Sequence, residues 1–292
     1  MLHESFINFK GYDFNDVVRI TSDVDFERTK ILAKERVSKT VPVSEAKRLL
    51  EVSDIECLDI FGDLSLHKDL LIEIVARQSR LKYLAIHPAL VNLLNSFSIS
   101  KELETLFVIG GEGNAYVPEQ FIHENIARVI SVDSVLFFTK KSLPNIKYFH
   151  VKFDRRGGIR KLLDSYTGLV SATLLPTKSK EDFKSLPASL CYLRLINGQL
   201  SGLSNISVLE NLTDLHMQNL PKLQDIEGLV SCNNLRDISI GYCNAIKNLE
   251  RIAELHSLEK FDIYASKLSN KEEIEEKFAL LKLKENSLSK ME

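Results

Sequence analysis

Cysteine is scarce in this chain, with four in 292 residues and no C-x-x-C pair. So low a count does not build a disulfide scaffold, and without paired spacing no structural zinc site is expected. Long apolar runs are missing too. No stretch reaches the roughly 18 uninterrupted apolar residues of a membrane span. The start, MLHESFINFKGYDF, has no basic segment leading into an apolar one, so no signal peptide is expected. Nor is there an excess of one charge: 38 Lys and Arg face 40 Asp and Glu, a net charge of −2. That leaves no basic field to draw nucleic acid or an anionic membrane. What remains is an ordinary globular composition, 44% hydrophobic and 27% charged, and a cytoplasmic location with reduced thiols is the simplest expectation. An exported protein without a cleaved signal would read the same way.

Catalytic signatures are also lacking. His123-Glu124 is not followed by the second histidine of a zinc-protease helix, since position 127 is alanine. Gly110-Gly111-Glu112-Gly113-Asn114 is not followed by the Gly-Lys-Ser/Thr of a phosphate loop, and it reads as a flexible corner. No G-x-S-x-G element is present. No enzyme, cofactor, metal or small-molecule substrate is therefore expected. The most basic short run, Asp154 to Lys161, reads as a solvated loop that could meet an acidic partner.

What the chain does have is a repeat. The figure L-x-x-L-x-L, with any aliphatic residue or Phe allowed, starts clearly at Ile55, Leu81, Leu103, Ile146, Leu190, Leu212, Leu235 and Leu258. Weaker copies start at Ala127 and Leu169. From 55 to 258 is 203 residues in nine steps, about 22.6 per step. Alternation within the figure is the period of a short strand, whose fourth and sixth side chains point inward. One such strand cannot bury its apolar side alone, whereas a stack shares a continuous core. After each strand an apolar residue recurs every third position, as in Leu220, Leu223, Ile226, Leu229 and Cys232. That period fits 3₁₀ turns or short helices on the return path.

On these residues the chain resembles the leucine-rich repeat proteins, closest to the short-repeat type of bacterial internalins and phosphatase-regulatory repeat proteins. Their L-x-x-I-x-x-L-x-x-L return is matched by LQDIEGLVSCNNL (223–235) and LSNISVLENL (203–212). The consensus asparagine after the strand is mostly missing, with Asn197 and Cys243 nearest to it. The resemblance implies an α/β solenoid of about ten irregular repeats, curved, with parallel short strands on its concave face. Repeats would span 51–269, with an amino-terminal cap over 1–50 that includes a strand near YDFNDVVRITSD and a short helix over 44–52. A capping helix with a frayed tail would fill 270–292. Ile274, Phe278 and Leu281 share one face of that helix, and Ser269 or Asn270 can cap it.

Third, fifth and seventh strand positions would line the concave face. A merely solvated sheet surface should be mostly Thr, Ser, Lys and Glu. Here Tyr83, Phe107, Tyr148, His150, Tyr192, Arg194, His216 and Tyr264 stand there instead, with Val129 and Ser131 on the repeat counted from Ala127. Tyr and Arg dominate interface energetics, so these eight are the candidate partner-binding residues. The alternative is a ladder of aromatics that only stabilises the sheet. The function expected is a non-enzymatic protein-binding module, monomeric alone, such as a bacterial immunity protein covering a cognate toxin. An effector grasping a host protein, or a regulatory subunit of a phosphatase or ubiquitin ligase, is the alternative.

Overall fold

The computed structural model describes residues 17–26, 37–131, 134–151, 162–163, 165–174, 183–266, 271–279, 283 and 285–286. Within them the strands, in chain order, are β1 (Val17–Thr21), β2 (Val37–Pro42), β3 (Cys57–Phe61), β4 (Tyr83–Ile86), β5 (Thr105–Val108), β6 (Gly113–Tyr116), β7 (Arg128–Ser131) and β8 (Ser134–Phe137). Then come β9 (Tyr148–Val151), β10 (Ser171–Leu174), β11 (Tyr192–Ile196), β12 (Asp214–Gln218), β13 (Asp237–Gly241), β14 (Lys260–Tyr264) and β15 (Glu285–Asn286). The α-helices are α1 (Lys68–Arg77) and α2 (Lys271–Ala279). Strands β5-β4-β3-β1-β2 are hydrogen-bonded neighbours in that order, β6 pairs with β8 in a separate small sheet, and β15-β14-β13-β12-β11-β10-β9 are neighbours in theirs. The chain divides into two compact units, residues 1–126 with 130–138, and residues 127–129 with 139–292.

In the first unit β2, β1, β3, β4 and β5 run parallel, with Leu58, Leu84 and Leu106 in register, as are Ile60, Ile86 and Val108. All six are fully buried, as inward fourth and sixth positions require. β1 lies between β3 and β2, so chain order and sheet order part here. The predicted strand near residue 17 and the turn of helix near 44 both occur, the latter as a 3₁₀ run over Val43–Glu51. The 26-residue first repeat step has room for a full α-helix, α1, which buries Leu71, Ile74 and Val75. Gly113–Tyr116, part of the expected glycine corner, instead pairs in parallel with β8 as a small second sheet. The corner itself needs glycine: Gly111 has φ +73°, and a Cβ there would lie 2.6 Å from His87 Nε2.

In the second unit β9 to β15 are likewise parallel and in sequence order. Shorter steps leave space only for 3₁₀ turns on the return, at Ile206–Val208, Glu227–Ser231 and Leu249–Glu254. A recurring pair of hydrogen bonds sets the frame: two successive amides of one repeat donate to the second-position carbonyl of the repeat before. Thr213 and Asp214 donate to Cys191 O, and Arg236 and Asp237 donate to Thr213 O. Lys147 and Tyr148 donate to Ala127 O in the same way. Ala127 is therefore a second position, and its repeat starts at Ile126.

The frame counted from Ala127 is thus wrong by one residue. Arg128 and Ile130 hold the third and fifth positions, while Val129 is fully buried in the core. The pattern misled because Ser131 occupies an inward sixth slot that normally takes an aliphatic residue. Its hydroxyl is satisfied there by donating to Ser134 O at 2.8 Å. At the carboxyl end α2 buries Ile274 and Phe278, and the Phe278 ring lies 4.6 Å from that of Phe261. The expected frayed tail contributes β15, paired with Lys260 and Phe261. Leu281, the capping pair Ser269 and Asn270, and the basic run 154–161 lie outside the described residues.

Candidate binding face

Register on β9 to β14 turns the third, fifth and seventh positions into three side-by-side columns on one side of the strands. The third column reads Tyr148, Ser171, Tyr192, Asp214, Asp237, Lys260. The fifth reads His150, Thr173, Arg194, His216, Ser239, Asp262, and the seventh Ile196, Gln218, Gly241, Tyr264. Six of the eight predicted residues therefore share one face of this unit: Tyr148, His150, Tyr192, Arg194, His216 and Tyr264. Tyr83 and Phe107 belong to the first unit. They are buried there with Ala85 and Ile130, their rings 6.3 Å apart and edge to face.

The six differ in depth. His150 is buried, and its Nδ1 shares a 2.6 Å hydrogen bond with Thr173 Oγ1. Burial, with the charges of Arg128 and Arg194, pushes its pKa well below the usual histidine value, so the ring stays neutral. The Arg128 guanidinium lies 4.7 Å from the centroid of Tyr148, a residue that is half-buried. Arg194 is buried, and its Nη2 donates to Gln218 Oε1 at 2.6 Å. These groups form a floor. Above it stand partly exposed side chains: Tyr192, His216 and Tyr264. The Tyr192 and His216 rings are 5.1 Å apart and tilted by 36°. Burial, then the charge of Arg194, lowers His216 to about 4, and burial raises Tyr192 to about 12. At neutral pH both rings are uncharged and amphipathic, able to bury apolar area and exchange one hydrogen bond each.

Sequence reasoning missed Tyr242. It lies outside the columns, at the strand exit, where Asn197, Asn219, Tyr242 and Ala265 all take left-handed φ values of 48° to 54°. Asn219 Nδ2 donates to Asn197 Oδ1 at 2.7 Å, so a fragment of the asparagine ladder survives at the first two exits. The signal available was the 23-residue step from Asn219 to Tyr242. At 48% exposure Tyr242 is the most open large apolar side chain described in this unit, and its ring stands at 90° to that of Tyr264, 5.8 Å away. Tyr264 reaches it by crossing Gly241, where a Cβ would meet the ring at 2.2 Å.

Among the described residues, no group of three or more His, Cys, Asp or Glu converges to hold a metal ion. None of the four cysteines is bridged to another, and burial raises Cys232 to about 11, which suits a packing role. His123 is half-buried, its Nε2 2.9 Å from Ser100 O. No described helix is long and apolar enough to cross a membrane.

No protein-family model matches the chain, and no curated protein matches it. Solved structures do. A leucine-rich repeat protein of Leptospira interrogans aligns with a TM-score of 0.51 at 15% identity, over 86% of this chain and 70% of its own. An internalin of Listeria monocytogenes gives 0.43 at 17% identity, over 84% of this chain and 64% of its own. The functional domain of InlJ from the same organism, which includes a cysteine ladder, gives 0.44 at 13%, over 80% and 54%. The chain thus spans less than two thirds of both Listeria chains, and what it shares with the Leptospira protein is the fold. A 23-residue repeat, a parallel strand from each copy and an in-register leucine core give the chain a leucine-rich repeat fold of the α/β class, like that of the Leptospira protein.

Proposed function

We propose that the chain is a non-enzymatic protein-binding module, its partner held on the third-, fifth- and seventh-position face of β9 to β14. The observation that carries this reading is the layering of that face: neutral aromatic groups, Tyr192, His216 and Tyr264, stand half-open over a buried polar floor of His150, Thr173 and Arg194. The Tyr192 and His216 rings pack on each other and the Tyr264 ring packs over Gly241 and against Tyr242, so little ordering remains for a partner to impose. Rings of this kind, rigid and amphipathic, are the side chains on which interface energy concentrates. Tyr83 and Phe107 are left out because they are buried in the first unit. One version of the reading is an immunity protein that covers the active site of a cognate toxin.

The test is capture of partners by the tagged chain from its native source at physiological salt, with Tyr192→Ala plus His216→Ala run beside it. The expected result is one stoichiometric protein that the double variant loses while keeping its melting temperature within a few degrees. A captured nuclease or peptidase would support the immunity version. Undiminished capture by the double variant would remove this face from the reading. Loss of melting temperature with no change in capture would make the aromatic column a device for sheet stability.

A further inference from the structure

Four strand exits of the second unit turn through the left-handed region, with φ of 51° at Asn197, 53° at Asn219, 54° at Tyr242 and 48° at Ala265. Asparagine tolerates that region and alanine brings little bulk to it, whereas a tyrosine there is an outlier. The backbone therefore asks for a left-handed residue at this exit but not for a ring. Nor does the core need one. The Tyr242 side chain is 48% exposed, and it is the next residue, Cys243, that packs inward at 1%. Backbone strain kept at an exposed, bulky side chain points to a use outside the fold.

That use is set by where the ring stands. Tyr242 follows Gly241, the seventh position of β13, and its ring meets that of Tyr264, the seventh position of β14, edge to face. Gly241 is what lets the Tyr264 ring lean across β13 towards it. Tyr242 N donates to Tyr264 O at 3.3 Å, which ties the two strand exits together. An edge-to-face pair spends the edge of one ring on the face of the other. What this pair leaves to solvent is the outer side of two partly open rings, Tyr264 being 38% exposed. The charges acting on Tyr264 are first that of Arg194 and then that of Asp262, opposite in sign.

We infer that Tyr242 is a partner contact: with Tyr264 it extends the binding face beyond the seventh column to the strand exits, and there it receives an apolar side chain of the protein partner. The inference rests on the proposed partner-binding reading and adds a residue outside the columns and the chemistry of what it meets. Continuity with the columns makes the occupant part of the same protein, since Tyr264 belongs to both surfaces. Arg194 and Asp262 act on the rings in opposite senses and favour neither an acidic nor a basic group, whereas two neutral rings gain by covering apolar area.

The test puts the photo-crosslinking residue p-benzoylphenylalanine into the full chain in place of Tyr242 and, in a second sample, in place of Tyr192. Both are irradiated in an extract of the native source at physiological salt. Mass spectrometry should place both crosslinks on one protein, that from the Tyr242 position at an aliphatic, aromatic, methionine or proline side chain. Beside it, Tyr242→Asn should raise the urea midpoint yet lower recovery of that protein by about tenfold or more. A ring kept only for the fold would show the reverse, a midpoint unchanged or lowered and recovery intact, and either of these results overturns the inference. So does a crosslink from the Tyr242 position to Asp, Glu, Lys or Arg. A crosslink from the Tyr192 position with none from the Tyr242 position overturns the inference and leaves the binding reading standing. The opposite pattern keeps the Tyr242 contact and overturns the reading that the columns hold the partner. Crosslinks from neither position overturn both.

Discussion

One backbone frame carries two unlike faces. On β3 to β5 the third and fifth columns read Cys57, Tyr83, Thr105 and Asp59, Ala85, Phe107, and the face is closed: Tyr83, Ala85 and Phe107 are buried, and so are Asp59 and Thr105. A partly buried ion pair joins Arg19 of β1 to Asp59 at 2.8 Å, and burial raises the Asp59 carboxyl despite the nearby guanidinium. On β12 to β14 the same columns are polar and half-open. Strand spacing, register and the paired amide bonds are alike in both units, so the ladder does not decide which side of the sheet is available. The side chains at alternate positions do. Where they are apolar the repeat has a core on both sides of its strands; where they are charged it has a surface.

Four substitutions or conditions would break or sharpen that contrast. The largest effect is expected from Phe107→Ala, which should cost about 3 kcal/mol by emptying a packed site, against about 1 kcal/mol for Tyr192→Ala on the open face. Urea unfolding measures both, and equal losses would erase the contrast. Next is acid. His216 has a folded pKa of about 4 against an ordinary 6.5, so the neutral ring belongs to the folded state. Stability from this group is complete above pH 6.5 and is lost as pH falls from 6.5 towards 4, a decline of about 2 kcal/mol. His150 shifts in the same direction. Urea midpoints at pH 7 and pH 4.5 should therefore differ, and His216→Gln should shrink the difference.

The third effect is smaller. Gly241→Ala should destabilise by about 1–2 kcal/mol by driving a Cβ into the Tyr264 ring, and Tyr264→Ala should relieve most of it in a double-mutant cycle. In the first unit Gly62, at φ +88°, has nothing near its absent Cβ, so Gly62→Asn should be almost neutral. Smallest is a gain. Tyr242→Asn should stabilise by about 0.5–1 kcal/mol, measured as a raised urea midpoint, by placing a residue tolerant of the left-handed region at an exit where Asn197 and Asn219 already serve. No gain would mean that the Tyr242–Tyr264 contact offsets the strain.

Most of the fold was legible because burial of a stripe leaves a periodic mark. Leu212, Leu215 and Met217 repeat as Leu235, Ile238 and Ile240, and their strands pair where that period says they should. Legibility failed where another contact replaced an aliphatic residue. Ser131 could not be recognised as inward without the Ser134 carbonyl that satisfies it, so the frame slipped by one and hid Arg128. Of the candidate face, the columns were readable and the depths were not. Arg194 and His150 look like surface residues in a list of fifth positions, yet both are buried, and the exposed Tyr242 stands outside the columns altogether.

The sequence by itself determined the repeat, the strand in each copy and the leucines that fill the core, because these follow from local alternation and a fixed step. Tertiary structure alone decided the rest: that β1 inserts between β3 and β2, that Tyr83 and Phe107 are closed in while Tyr264 is open, and that Gly241 makes room for a ring from the next strand. The physical reason is range. An inward position is set by residues two apart on one strand, but exposure and ring placement are set by what the neighbouring strand puts opposite, some 23 residues away in the chain.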